Sequence, residues 1–257
     1  IKTFNYTFGF NVADNKNRIT SLPGGDQING NRLRRVGVPI DAIFGVKAVG
    51  IFQTAADVAA SAKQDPKTGP GDLQYQDQNG DNKIDANDRV VIGDRFPHYT
   101  FGSNMSGQWH SFDASMLLQG VGRQDVFLDG ALIEGPSWEN FFSTYLVDSW
   151  SPTNTDAAWP RFTFRDSRNQ NAPGSNSWYV RNGRYMSLKN LNLGYTLPVS
   201  LGARAGISSA RVYIAGTNLY TWSALKGIVP PEANPNSTRA TYYYQTRNIS
   251  VGTSLGF

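Results

Sequence analysis

Phe4, Tyr6, Phe8 and Phe10 occupy every second position near the start of the chain, with Asn5, Thr7, Gly9 and Asn11 between them. A period of two belongs to an extended strand, whose successive side chains point to opposite faces; a helix would scatter these rings around its circumference. One face of the strand is therefore wholly aromatic, while the other carries only small and polar groups. Such a strand needs apolar surroundings on one side and water on the other.

The same pattern recurs five times. Tyr99, Phe101, Met105 and Trp109 alternate with Thr100, Gly102, Asn104, Ser106 and Gln108; after a tight reversal at Trp109-His110-Ser111, Phe112, Ala114, Met116 and Leu118 alternate with Asp113, Ser115 and Gln119. This spacing predicts a hairpin with a very short turn. A second hairpin sets Leu191, Leu193, Tyr195 and Leu197 against Asn190, Asn192 and Thr196, stops at Pro198, and returns from Arg211 to Trp222 with Val212, Ile214, Tyr220 and Trp222 on one face. In the last strand Ile249, Val251, Leu255 and Phe257 alternate with Asn248, Ser250, Gly252, Ser254 and Gly256.

The connections near residues 110 and 200 are short, whereas 13–97, 125–183 and 224–245 are long. Strict alternation of short and long connections is what an outer-membrane barrel predicts, with short periplasmic turns and long extracellular loops. The expected fold is therefore all-β: a transmembrane antiparallel β-barrel with long extracellular loops, the chain 1–257 forming its C-terminal portion without an internal domain boundary. A soluble β-sandwich also has alternating strands. Polar faces rich in Asn, Gln, Ser and Gly, and aromatic residues gathered towards the strand ends, favour the barrel. Six strands cannot close a lumen, since single-chain barrels begin at about eight, so further strands are expected from residues outside this sequence.

Composition sharpens the exclusions. The 257 residues include no cysteine, which removes disulfides and thiolate metal sites, and the net charge of +4 is spread without a basic run that would track nucleic acid. No apolar stretch approaches the roughly 18 to 20 residues of a spanning helix. The start, Ile1-Lys2-Thr3, lacks the pattern of a signal peptide, so a processed protein or a fragment is expected.

One stretch carries ligand chemistry. Asp77, Asn79, Asp81, Asp85 and Asp88 fall at positions 1, 3, 5, 9 and 12 of a twelve-residue loop, the spacing of a calcium site in which the backbone carbonyl of Lys83 takes position 7 and Ile84 fills the apolar position 8. Calcium is a hard cation that takes six to eight oxygen ligands, and alternating carboxylates supply them. Asn82 stands where Gly is usual and Asp88 where a longer Glu is usual; the competing reading is a solvated Asn-Gly turn. A structural calcium ion is the expectation.

Enzymatic constellations are missing from the sequence. It holds two histidines, His98 and His110, and no Gly-x-Ser-x-Gly elbow, and Asp125 and Asp129 are ordinary turn residues of a Gly-containing loop. Trp138, Trp150, Trp159 and Trp178, with Phe141, Phe142, Phe162 and Phe164, make the second long connection dense in aromatics. These rings suit either stacking on sugars or packing of the connection against itself. The sequon Asn236-Ser237-Thr238 is of a kind that chance produces in an Asn-rich chain.

Several segments together resemble the SusC/RagA family of TonB-linked outer-membrane transporters. They are Phe44-Gly45-Val46 with Gly50-Ile51-Phe52-Gln53, Gly71-Asp72-Leu73-Gln74-Tyr75 leading into the acidic loop and Val91-Ile92-Gly93, Phe112-Asp113 with Gln119-Gly120, Leu188 through Pro198, Gly216-Thr217-Asn218-Leu219, and the closing Phe257. The resemblance implies a barrel of about 22 strands, an N-terminal plug domain and TonB-contacting segment outside this sequence, and energised import of glycans or peptides. It implies a SusD-like surface lipoprotein as partner, with the long segments 13–97 and 125–183 facing that lid or the substrate. It also implies no bond chemistry, a periplasmic Phe257 read by barrel-assembly machinery, and contact with outer-membrane lipid. Two other readings stand beside this one: a soluble extracellular calcium-stabilised β-sandwich that binds carbohydrate, and a barrel scaffold of a secretion or adhesion complex.

Overall fold

A computed structural model describes residues 4–128, 147–162, 175–198, 200, 206–225, 228–232 and 244–257. In chain order the strands are β1 Asn5–Ala13, β2 Gln27–Asn29, β3 Arg32–Arg34, β4 Ala42–Val46, β5 Ala48–Ile51, β6 Leu73–Tyr75, β7 Arg89–Gly93, β8 His98–Trp109, β9 Phe112–Arg123, β10 Asp125–Phe127, β11 Ser175–Asn176, β12 Val180–Asn182, β13 Tyr185–Thr196, β14 Ser209–Ser223 and β15 Asn248–Gly256. A six-residue helix, α1 at Ala55–Ala60, begins at a Thr54–Asp57 capping box.

The six long strands form one antiparallel sheet in the order β1-β8-β9-β13-β14-β15, matching the six alternating segments of the sequence. Register lines up their apolar positions: Phe8 opposes Met105, Met105 opposes Met116, Met116 opposes Leu191, and Leu193 opposes Ile214, which opposes Val251. The resulting face is continuous across all six strands, and it is uncovered: Phe8 is 59% exposed and Val251 79%. A patch of this extent is far beyond the scattered apolar residues of a soluble surface and marks a face built for an apolar environment. Where rings need room the backbone provides it, as at Gly120, whose missing Cβ would lie 2.6 Å from the ring of Phe101.

The strand ending at Thr196 begins earlier than the sequence pattern suggests, because a bulge interrupts the alternation. Its register shifts between Leu188 and Asn190 against both neighbours: Lys189 is the extra residue against β9, while on β14 Asn218 and Leu219 together face Lys189. An extra residue flips the face on which later side chains fall. Here the flip keeps Met186 and Leu188 on the same apolar face as Leu191 and Leu193, opposite Trp222 and Tyr220.

The described parts of the long connections carry regular structure and a shared core. The first and second fold into the short strands β2–β7 and β10–β12: β11-β4-β3-β2 make a small sheet with β7 also paired to β4, β5 pairs β6, and β10 pairs β12. Their common core is Val46, Leu73, Tyr75, Ile84, Val126, Leu128, Trp159, Tyr179, Leu225 and Val229. Those residues come from all three long connections, so the described parts of the three condense into one module at one end of the sheet. Asp72, only 1% exposed at its side chain, locks it by accepting from Arg161 Nε at 2.6 Å and Nη2 at 2.7 Å. Ser177 Oγ accepts from the Ala48 amide at 2.9 Å, and Trp150 Nε1 donates to Gln53 at 2.8 Å.

Candidate functional site

The acidic loop is closed by its own carboxylates. Asp77 accepts from the amides of Gly80 at 2.7 Å and Asn82 at 2.8 Å, while Asp81 accepts from Lys83 at 2.9 Å. Asn79 accepts from the Asp81 amide at 3.0 Å and donates to its carboxylate at 3.1 Å. Asn82 takes the left-handed conformation (φ 61°), as the turn requires of the residue that stands in place of Gly. Ile84 is buried, and Lys63 stitches the loop down, donating to the Asn82 carbonyl and accepting from the Ile84 amide, both at 2.9 Å.

At the far end Asp85 caps the short 3-10 turn Ala86–Asp88 by accepting from the Asn87 amide at 2.7 Å. Asp88 is fully buried and accepts from Gln78 at 2.8 Å and Asp85 at 2.7 Å. Burial works to raise the Asp77 carboxyl, but the amides of Asn82, Gly80, Asp81 and Asn79 together outweigh it and hold the group below the ordinary carboxylate range. Each amide consumes one lone pair of an oxygen that has two, so the donor set remains all-oxygen and partly free, which is the chemistry a hard cation takes. Among the described residues, no three His, Cys, Asp or Glu side chains converge as a metal centre.

Of the described aromatic residues of the second connection, Trp159 and Trp178 pack at the core and Phe162 is exposed. Trp159 is buried and stacks on Tyr179 at 6.3 Å, with the Arg181 guanidinium 5.2 Å from its ring; Trp178 packs against the same core. Trp138, Phe141, Phe142, Phe164, Asp129 and the sequon at 236–238 lie outside the described residues. Of the histidines, His110 forms the β8–β9 turn with its ring 4.9 Å from that of Trp109, and His98 sits at the opposite end of β8 between Asp14 and Asp94.

Two polar clusters on the other face of the sheet carry no signal in the sequence, because their partners are far apart in the chain. Asp113 receives a bidentate contact from Arg211, which stacks over Tyr213 at 5.1 Å. At the bulge, Lys189 Nζ lies 2.6 Å from Glu232, 2.8 Å from Gln245 and 3.2 Å from Asn218, and Ser187 donates to Glu232 at 3.0 Å. Burial opposes ionisation of Glu232, and the contacts from Lys189, Gln245 and Ser187 overcome it, leaving the carboxyl below its ordinary value. This cluster ties the third connection to the polar face of the sheet.

No protein-family model matches the chain. It is 31% identical over 264 aligned positions to the TonB-dependent receptor P3 of Formosa agariphila, which covers 98% of this chain, and 31% identical over 243 positions to the TonB-dependent receptor P26 of the same organism, covering 90%. The chain belongs to the TonB-dependent receptors. It spans about a quarter of their length, 25% of P3 and 24% of P26. The RagAB peptide transporter superposes over 99% of this chain and 27% of its own, with a TM-score of 0.73 at 21% identity. The RagAB peptide importer in its open-open state superposes over all of this chain and 27% of its own, with a TM-score of 0.74 at 21% identity. The six-stranded sheet is thus a section of β-barrel wall rather than half of a sandwich. Both curated relatives carry the name of receptors.

Proposed function

We propose that the whole protein is a SusC/RagA-type transporter that imports a large nutrient, a glycan or an oligopeptide, across the bacterial outer membrane with energy delivered through TonB, beneath a SusD-like surface lipoprotein. The carrying observation is the uncovered apolar face running across all six strands. A bilayer is the environment that such a face takes, and closure with further strands would leave the opposite, polar face on an aqueous lumen. The register places the short β8–β9 and β13–β14 connections at one end and the condensed module at the other. That polarity supports a wall with its module outside, where a surface lipoprotein and substrate would be met.

Peptide cargo gains weight from the RagAB likeness, and the packing of Trp159 and Trp178 into the core removes them as an exposed sugar platform. The test is uptake of labelled oligopeptide and oligosaccharide mixtures by cells with and without the intact receptor, repeated in a strain lacking TonB. Loss of uptake in both deletions is the expected result. Uptake that persists without the receptor, or that is indifferent to TonB, overturns the proposal.

We further propose that Asp77, Asn79, Asp81, the Lys83 carbonyl, Asp85 and Asp88 hold a structural calcium ion, supported by their oxygen-only donor set and the left-handed Asn82 at the centre of the turn. Calcium would cross-link carboxylates that now bond only to neighbouring amides. Millimolar calcium is expected to raise the melting temperature of the intact receptor, and D77N with D81N to abolish the rise; an unchanged melting temperature rejects the site.

A further inference from the structure

His98 stands where the barrel wall passes into the module, and both of its ring nitrogens face carboxylates from different segments. Nδ1 lies 2.7 Å from Asp14, just past the end of β1, and Nε2 lies 3.2 Å from Asp94, on the approach to β8. A neutral imidazole has one N–H and one lone pair, so it donates to one of these carboxylates and turns a lone pair towards the other; only the imidazolium donates to both. Asp94 passes the constraint on: its amide donates to Asp125 Oδ2 at 2.8 Å, and its carbonyl accepts from the Asp125 amide at 2.9 Å, at the start of β10.

The next residue, Tyr99, holds φ at 54° within an otherwise extended strand, a conformation that persists for a bulky side chain only where its surroundings enforce it. Gly122 makes room for it, since a Cβ there would sit 3.0 Å from Tyr99 Cβ. Among the described residues, three further cations lie near the imidazole. Lys16 lies 3.8 Å from Asp14, Arg123 stands opposite His98 in register on β9, and Arg95 is directed to Asn31.

We propose that His98 is a protonation-dependent clasp at the neck of the barrel, which pins the first connection of the module to the wall when the imidazole is charged and releases it when the imidazole is neutral. Protonation joins Asp14, Asp94 and, through Asp94, Asp125 into one bonded unit. Deprotonation removes one of the two donors. The device would let the pH of the surrounding medium set how firmly the module is seated, whatever the receptor carries.

The test is amide hydrogen exchange on the full-length receptor in lipid nanodiscs between pH 5 and 9, corrected for the intrinsic pH dependence of exchange, read over residues 14–20 and 94–97. In the wild type, protection in both stretches is expected to fall with rising pH. Each unit of pH beyond the titration changes the ratio of charged to neutral imidazole about tenfold. In H98Q, which cannot become a double donor cation, protection is expected to be constant and low. D14N serves if H98Q does not assemble, and should likewise flatten the profile at 14–20. A wild-type profile without a step, or the same step retained in the variant that assembles, overturns the clasp.

Discussion

The wall and the module use the same side chains in opposite senses. In the wall the large apolar groups point outward, with Phe8 59% exposed, and the polar groups gather on the other face around Arg211 and Lys189. In the module Phe52 and Leu73 are at most 1% exposed, and charged groups such as Arg34 and Arg35 ring the outside. The module obeys the ordinary rule that burial of apolar area drives folding in water. The wall obeys it too, once its outer solvent is hydrocarbon. Identical chemistry, placed against different solvents, produces inverted architecture within one chain.

That contrast can be broken most forcefully at Asp72. Replacing it with alanine deletes the bidentate contact with Arg161, whose side chain is 27% exposed, so the expected loss lies below the roughly 3–5 kcal/mol of breaking a fully buried pair. Limited proteolysis of the assembled receptor should show rapid cleavage within 48–75 and 147–162 while the wall remains intact. Loss of the wall along with the module would show the two to be one cooperative unit.

Ile214→Arg tests the other side. On a lipid-facing wall a cation near the bilayer midplane costs roughly 2–4 kcal/mol, so folded barrel on a heat-modifiability gel should diminish with the module's fold unaffected. A fully tolerated Arg would mean that this face is covered by protein rather than lipid. Thr54→Ala is the milder change within the module, since loss of the cap on α1 costs about 1 kcal/mol; hydrogen exchange should quicken at 55–60 alone.

The smallest effect is expected from acid. Because the Glu232 carboxyl is held below its ordinary value, the stability it contributes is complete above the unfolded pKa of about 4.3. It is lost as pH falls through the lower folded value. E232Q should therefore reduce stability at neutral pH but soften the decline in melting temperature below about pH 4.

Legibility in the sequence divides along the same line. All six wall strands and their apolar faces could be read directly, because alternation is a local signal that repeats over nine or more residues in each strand. The bulge could not, since Lys189 differs from its neighbours only through what β9 and β14 do beside it. The acidic loop was legible as a turn, with Asn82 in the left-handed conformation as its residue type allows, while Asp88 proved to be a buried cap on Gln78 and Asp85.

The module was invisible as a unit. Its strands run from two to five residues, too short for periodicity to register, and its core unites Val46, Leu128, Tyr179 and Leu225, which no local pattern connects. By itself the sequence determined a wall of six alternating strands with one face for hydrocarbon, because each strand carries its own instruction in the order of its residues. Only the tertiary structure decided that three long connections become one folded body, that Lys189 meets Glu232 and that His98 sits between two carboxylates, because these depend on closing distant segments against one another.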